Sequence, residues 1–231
     1  MSPASLPSFD ANGVEMAFTV NHVNHALLFF LLKEKGLLAP RCRLIFSTTA
    51  LHDPKQPLNQ TPPAWKSTEA VARATDAENS MLNAGVRYSN SKLGVIFFAY
   101  ALAAKLVSAG SDKDWSVVVY EPGFVPGGGS RLSRDQPILI RFILGYIVPW
   151  MFWYFKGKGI VTSTPEKSGK ALADLALGRT FPNVSGKYIL LDKEWKSSEE
   201  SYDVTKQEDC WRWTVEFLGK NAAQKQRFNS L

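Results

Sequence analysis

The chain has 231 residues, of which 45% are hydrophobic and 21% charged, which is the composition of one globular domain with a sizeable core. Its net charge of +6 comes from dispersed lysines and arginines without a basic run interleaved with aromatics, so nucleic-acid binding is not indicated. Two distant cysteines predict no disulfide scaffold and fit a reducing, cytoplasmic location, and the three histidines show no metal-ligand spacing with them.

The first third of the chain alternates between helical and strand-like patterns. The stretch from Val14 to Lys35 predicts a helix that ends near Gly36, and the stretch from Arg43 to Thr48 predicts a short strand. The stretch from His52 to Gly85 is polar and rich in proline at first and becomes compatible with a helix from about Ser67. We interpret this stretch as an insertion.

The middle of the chain contains its most apolar segments. Arg87 to Ser108 is apolar nearly all round, which predicts a helix buried on most sides. Trp115 to Tyr120 is rich in β-branched residues and predicts a strand, which ends sharply at Glu121-Pro122-Gly123. Ile138 to Phe155 is very apolar and aromatic, although Arg141 and Pro149 interrupt it, so a membrane span is disfavoured.

The last third continues the alternation. Pro165 to Leu177 predicts a helix with proline near its start and a stop at Gly178. Gly186 to Leu191 predicts a last strand, and Gln207 to Phe217 a last helix. Because strands separated by helices form parallel sheets, the pattern predicts an α/β fold.

A tyrosine and a lysine begin the central helix at a spacing of four residues. Tyr88 and Lys92 therefore share one helix face. A fixed ammonium one turn away favours the phenolate, lowers the phenol pKa and makes tyrosine a general acid or base. The spacing alone is common, and a solvated pair on a helix surface is its more frequent explanation.

Five motifs along the chain resemble those of the short-chain dehydrogenase/reductase family, in the branch of retinol dehydrogenases and protochlorophyllide reductases. They occur in the family's order, and they are Asp10 to His25 with its V-N-H-x-x-H core, Arg43 to Pro54, Tyr88 to Leu93, Pro122-Gly123-Phe124-Val125, and Gly186-Lys187-Tyr188. Any one of these motifs is weak evidence, whereas five in register are strong.

The resemblance implies four catalytic roles. Tyr88 exchanges a proton with the substrate oxygen, Lys92 lowers the phenol pKa and holds a cofactor ribose, and Asn21 holds a proton-relaying water. The family's serine that orients the carbonyl corresponds by register to Thr49, with Ser47 and Thr48 just before it. Threonine keeps the hydroxyl but adds a methyl group at the reacting centre. The alternative for these three hydroxyls is a strand end that satisfies turn amides.

The resemblance also implies a nicotinamide cofactor, NADP or NAD, bound by Asn21, Tyr88, Lys92, Pro122, Gly123 and Val125. Two residues after Val125 the family usually has a threonine, and this chain has Gly127. We interpret Gly127-Gly128-Gly129 as a flexible substrate loop, because it follows the wrong strand for a dinucleotide turn and lacks the G-x-G-x-x-G spacing.

A dinucleotide site needs a first strand, a glycine-rich turn and a helix N-terminus for the pyrophosphate. These parts normally precede the Asn21 motif, where this chain has 20 residues. We therefore expect one domain over residues 1–231 that lacks the glycine-rich cofactor half: a partial, doubly wound Rossmann-type sheet of about three parallel strands, with its inner strand as an exposed edge.

The aromatic segment, residues 138–158, corresponds to the family's hydrophobic lid over a lipophilic substrate. Cationic residues flank it, so contact with a membrane interface is left open. The family's dimers predict a homodimer or a heterodimer through the first two long helices.

Three functions remain open at this stage. The first is an oxidoreductase of a lipophilic carbonyl or alcohol that uses NADP(H) or NAD(H). The second is a cofactor-free proton-transfer enzyme, such as an isomerase, dehydratase or cyclase. The third is a catalytically silent dimer partner of a full-length relative. We adopt the oxidoreductase as the leading hypothesis.

Overall fold

A computed structural model describes residues 7–57, 61–74, 84–110, 114–125 and 138–230. Helix α1 (Met16–Phe18) continues through a π-helical turn (Thr19–Val23) into α2 (Asn24–Glu34). The continuous helix agrees with the prediction, but its π-helical turn was not expected. The turn contains Asn21.

The remaining elements of the first half follow the predicted order. They are β1 (Arg41–Ser47), a 3₁₀ turn (Ala50–His52), α3 (Thr68–Arg73), α4 (Ala84–Ser108) and β2 (Asp114–Glu121). Ser67 begins α3 by accepting a hydrogen bond from the Ala70 amide through its hydroxyl, as expected of an N-cap.

The second half contains α5 (Ile138–Phe142), a π-helical turn (Ile143–Ile147), α6 (Val148–Trp150), α7 (Phe152–Gly157), α8 (Pro165–Ala176), β3 (Lys187–Leu190), β4 (Lys193–Trp195), a 3₁₀ turn (Glu199–Tyr202), α9 (Val204–Leu218) and α10 (Ala222–Asn229). The sequence analysis did not predict β4 or α10. Thr164 caps α8, and Gly178 follows it with φ of +68°, as its role as a stop requires.

Four strands form one sheet in the order β1-β2-β3-β4. β1, β2 and β3 are parallel, in a register that pairs Ser47 with Tyr120, and β4 is antiparallel to β3. The three parallel strands confirm the predicted α/β fold, and among the described residues β1 lies at the edge of the sheet.

Helices cover both faces of the sheet, as in a doubly wound fold. Alternate residues of β2 point to opposite sides. Val117 and Val119 enter the large core formed with α2, α4 and α9, whereas Val118 and Tyr120 enter a smaller core against Leu175 of α8.

Helix α4 is the centre of the large core. It is the one helix in the described ranges that is long and apolar enough to cross a membrane, and most of it is buried inside this chain. Gly94 lets neighbouring rings approach closely, because a Cβ there would lie 3.0 Å from Phe18 and 3.2 Å from Trp65. At its N-terminal end, Arg87 forms a buried ion pair of 3.4 Å with Glu15.

Candidate active site

The predicted site residues gather at the carboxyl ends of β1 and β2, where ligands bind in open α/β sheets. Thr49 follows β1, Pro122 follows β2, and Tyr88 and Lys92 lie near the start of α4. A cavity of about 450 Å³ lies elsewhere, beside Arg41 and Asp114 at the amino ends of these strands. None of the predicted catalytic residues lines that cavity.

Lys92 ties α4 to the end of β1. Its ammonium donates to the Ser47 carbonyl at 3.2 Å, and its own carbonyl accepts from the Thr48 hydroxyl at 3.1 Å. The Lys92 Nζ atom lies 5.9 Å from the centroid of the Tyr88 ring. The lysine therefore holds the strand end and remains next to the phenol.

Burial sets the protonation of both groups. It raises the pKa of the Tyr88 phenol and lowers the pKa of the Lys92 ammonium, because each charged form loses hydration. This direction is opposite to the lowering of the phenol pKa expected from the sequence. The Lys92 ammonium is directed at the Ser47 carbonyl, and desolvation of the phenol dominates.

The structure separates the roles of the two threonines after β1. Thr48 is buried, its amide donates to the Tyr120 carbonyl at 2.9 Å, and its hydroxyl is engaged by Lys92. Thr49 is partly exposed in an extended conformation, and its hydroxyl does not cap the 3₁₀ turn that follows. The Thr48 side chain is thus engaged in contacts within the fold, whereas the Thr49 side chain is the more exposed of the two.

The imidazole ring of His52 contacts the backbone of Thr49. Its Nε2 accepts the Ser198 amide at 3.0 Å, so its Nδ1 carries the hydrogen that is donated to the Thr49 carbonyl at 2.6 Å. Burial lowers the His52 pKa, which keeps the ring neutral in this arrangement. The sequence analysis placed His52 in a family motif but gave it no role.

Glu121 is a buried carboxyl group that the sequence analysis missed. It accepts a hydrogen bond from the Tyr188 hydroxyl and one from the Ala50 amide. Burial raises the Glu121 pKa, although both hydrogen bonds oppose the shift. A carboxylate directly after a buried strand was the available sequence signal. Its effect is to fix the turn that begins at Thr49.

Asn21 links the π-helical turn to α4. Its side-chain amide donates to the Ser91 hydroxyl at 2.9 Å, and that hydroxyl donates to the Tyr88 carbonyl at 2.7 Å. The Asn21 carbonyl accepts from His25 Nδ1 at 2.8 Å. Asn21 is thus connected to the helical turn that carries Tyr88, and π-helical turns are frequent at functional sites.

The Pro122-Gly123 turn lies at the other side of the site. Gly123 has φ of +73°, and a Cβ there would lie 3.1 Å from the Val161 carbonyl. Phe124 donates its amide to that same carbonyl at 2.8 Å, and Val125 follows, partly buried. The predicted Gly127-Gly128-Gly129 loop lies outside the described residues.

These residues fit one end of a nicotinamide dinucleotide. Lys92 provides a cation, and Asn21 and Tyr88 provide polar groups, whereas the close approach at Gly123 is to the chain's own Val161 carbonyl. A pyrophosphate needs several backbone amides at a helix N-terminus after a glycine-rich turn. The described residues of this site do not provide that arrangement.

The fold and the site together define an α/β protein with a tyrosine and a lysine beside the carboxyl ends of its parallel strands. A family model described as the AcuH dehydrogenase domain matches residues 131–226. Dehydrogenase acuH of Aspergillus aculeatus is 34% identical over 90 residues, which are 39% of this chain and 91% of that protein. The chain belongs to the short-chain dehydrogenase/reductase family.

More distant relatives match along most of the chain. Mouse retinol dehydrogenase 13 is 24% identical over 212 residues, and human polyprenol dehydrogenase is 26% identical over 213 residues. Each alignment covers 90% of this chain, against 54% and 56% of the relatives. The chain thus spans about half the length of these two relatives.

A solved structure supports the fold. An uncharacterized protein from Mycobacterium paratuberculosis superimposes with a TM-score of 0.53 at 15% identity, covering 93% of this chain and 63% of that one. This similarity shows the fold alone.

Proposed function

We propose that this chain is part or all of an oxidoreductase that uses NADP(H) or NAD(H) on a lipophilic alcohol or carbonyl compound. The observation that carries the proposal is the attachment of the β1 end to α4: the two hydrogen bonds between Lys92 and Ser47-Thr48 bring Thr49 to the helix that bears Tyr88. The relatives support the reaction class, because they are named as dehydrogenases.

Asn21, Tyr88 and Lys92 would hold the nicotinamide end of the dinucleotide, which would supply or accept the hydride when bound. Tyr88 exchanges the proton at the substrate oxygen, and the Thr49 hydroxyl donates a hydrogen bond to the same oxygen. Because burial raises the Tyr88 pKa, the phenol is protonated at neutral pH and is ready to act as the acid of carbonyl reduction. Lys92 holds the ribose and the end of β1, and Asn21 holds the helical turn under Tyr88.

A lipophilic substrate class is supported by apolar side chains next to the predicted site and by the names of two relatives. A small cleft of about 60 Å³ beside Ala50, the residue after Thr49, is lined by Gln56 and Glu121 and by the apolar side chains of Phe124, Ile160, Val161, Leu190 and Trp195, although none of the predicted catalytic residues lines it. The aromatic segment adjoins it, since the rings of Phe124 and Phe155 lie 5.8 Å apart. Two relatives are named for retinol and polyprenol, which are both apolar alcohols.

The test is a nicotinamide absorbance assay of the chain with a panel of apolar alcohols and ketones. We expect turnover that falls by about a hundredfold to ten-thousandfold in Tyr88→Phe, since the substitution removes the proton donor and little packing. Tyr202→Phe is the matched control, because Tyr202 is half-exposed and belongs to a different part of the chain.

Other outcomes select the alternatives. Turnover without nucleotide that is lost in Tyr88→Phe indicates a proton-transfer enzyme. Turnover that survives Tyr88→Phe contradicts both enzyme hypotheses as stated. Absence of turnover in the wild-type chain, with turnover restored only after mixing with a full-length relative, indicates a silent dimer partner.

A further inference from the structure

The aromatic segment, residues 138–158, presents an unusually apolar surface. Trp150, Tyr146 and Trp153 have 76%, 73% and 69% of their surface exposed. Six other large apolar side chains of this segment are exposed as well: Ile138, Leu139, Phe142, Ile143, Ile147 and Tyr154. Soluble monomers rarely leave so contiguous an apolar surface without a partner.

The segment is attached to the domain at its C-terminal end. Phe155 is partly buried against Phe124, and the backbone of Phe124 pairs with Val161 just beyond the segment. The helix is interrupted at Met151, where φ and ψ are −86° and 10°. These contacts keep the C-terminal end of the segment next to the residues that follow β2.

The positive charges of the segment favour an anionic partner. Its charged residues are Arg141, Lys156 and Lys158, and the chain has no carboxylate between Asp135 and Glu166. Lys156 and Lys158 are exposed and follow Trp153 closely in sequence, and Lys158 Nζ lies 5.9 Å from the centroid of the Tyr154 ring. Tryptophan and tyrosine beside lysine are the side chains that favour the headgroup region of a bilayer.

A second copy of the chain fits this surface less well. The chain carries a net charge of +6, and self-association through the segment would bring two sets of cations together. An anionic lipid surface offers both the opposite charge and an apolar layer for the tryptophans.

We propose that the aromatic segment docks in the plane of an anionic lipid bilayer, with Trp150 and Trp153 at headgroup depth and Lys156 and Lys158 paired with lipid charges. Docking stands independently of the proposed oxidoreductase activity. If that activity is correct, docking also brings the Phe124 side of the site to the layer in which an apolar substrate is dissolved.

The experiment measures co-sedimentation of the full chain with vesicles of phosphatidylcholine, with and without added phosphatidylserine. We expect binding to the anionic vesicles that weakens as salt is raised. Lys156→Gln/Lys158→Gln should lower the partition coefficient by roughly thirtyfold, from about 1 kcal/mol for each lysine. Trp150→Ala/Trp153→Ala should lower it by about tenfold or more.

Matched controls are available outside the segment. Lys35→Gln/Lys220→Gln removes two exposed lysines elsewhere, and Leu37→Ala/Val107→Ala removes two exposed apolar side chains elsewhere. Both control variants should bind as the wild type does.

Three results would overturn the proposal. They are no binding to anionic vesicles, equal binding by the segment variants and the wild type, and equal losses in the control variants. Sedimentation velocity distinguishes the alternative occupant: a dimer that Trp150→Ala/Trp153→Ala dissociates, without vesicle binding, assigns the surface to a second copy. Turnover plays no part in these measurements, so their failure is separate from failure of the proposed activity.

Discussion

The side-chain amide of Asn21 donates a hydrogen bond to the hydroxyl of Ser91 across 70 residues of chain, at 2.9 Å. The Ser91 hydroxyl in turn donates a hydrogen bond to the Tyr88 carbonyl. The π-helical turn and the first turns of α4 are thereby held in one arrangement, and the position of the candidate proton donor depends on it.

Asn21→Ala should therefore reduce both stability and turnover. We expect a loss of about 1 kcal/mol in the free energy of unfolding, the usual contribution of one hydrogen bond. Ser91→Ala should have a similar effect, and the double variant should lose less than the sum, because both substitutions remove the same contact. Asn24→Ala, at an exposed position in α2, is the control for denaturant unfolding and kinetics. Additive losses would show that the contact does not couple the two helices.

Thr48→Val and Thr49→Val should separate structure from catalysis. Thr48→Val removes a buried hydroxyl bonded to Lys92, and we expect about 1 kcal/mol lower stability with most of the turnover retained. Thr49→Val should leave stability within about 0.5 kcal/mol and lower kcat on the order of a hundredfold, because a donor to the substrate oxygen is lost. Thr49→Ser should restore kcat. The reverse pattern would assign the catalytic hydroxyl to Thr48.

Lys92→Met keeps the aliphatic stem and removes the ammonium. We expect a lower kcat and weaker nucleotide binding that high pH does not restore, because Lys92 is bonded to Ser47 and the Tyr88 pKa is governed by burial. A pH-rate profile with a nucleotide titration tests this. Recovery of kcat at high pH would show that the ammonium acts mainly on the phenol.

His22 should make the fold sensitive to acid. Burial, and secondarily the charge of His25, lowers the pKa of His22 to about 3, and its Nε2 donates to the Thr214 hydroxyl at 2.7 Å. The unfolded chain takes up this proton near pH 6.5 and the folded chain does not. The contribution of His22 to the free energy of unfolding is thus complete above about pH 6.5. Below that pH the free energy of unfolding falls by roughly 1 kcal/mol per pH unit.

His22→Gln, whose amide can still donate to Thr214, should flatten the part of this acid slope that His22 causes. His25→Gln is the control for removing an exposed imidazole from the same continuous helix. The measurement is denaturant unfolding between pH 4 and pH 7, and an unchanged slope in His22→Gln would refute the assignment.

Glu121 should make the free energy of unfolding depend on pH in the direction opposite to His22. Because its pKa is raised in the fold, its contribution to stability is complete below its ordinary pKa and is lost as pH rises through the folded pKa. Glu121→Gln should therefore gain stability relative to the wild type as pH rises, by at most about 1.4 kcal/mol per pH unit. Glu194→Gln, which removes an exposed carboxyl on β4 that is paired with Lys187, is the control for the loss of a carboxyl group. A constant difference between wild type and Glu121→Gln would mean that folding does not shift the Glu121 pKa.

Local patterns made most of the fold predictable. The apolar sequence of α4 and the β-branched residues of β2 were sufficient to place the central helix and strand. β4 was missed because two of its three residues are charged, and α10 because few of its residues are apolar. Neither has a pattern of its own, and both are stabilised by packing on the rest of the chain.

The residues of the candidate site also differ in how far the sequence could predict them. Tyr88 and Lys92 could be found from their spacing, whereas the contact of Glu121 with Tyr188 spans 67 residues and that of His52 with Ser198 spans 146. No local pattern encodes such contacts. The dimer and the cytoplasmic location remain predictions.

The π-helical turn at Thr19–Val23 has a consequence for how this region tolerates changes in length. Each residue of an α-helix advances the chain by about 100° around its axis. Deleting one residue here would restore a regular helix but rotate α1 by that angle, taking Phe18 out of the core and Glu15 away from Arg87. Substitutions at the exposed Val20 should be accepted, whereas a single-residue deletion should not, so the number of residues in this turn is under stricter constraint than their identity.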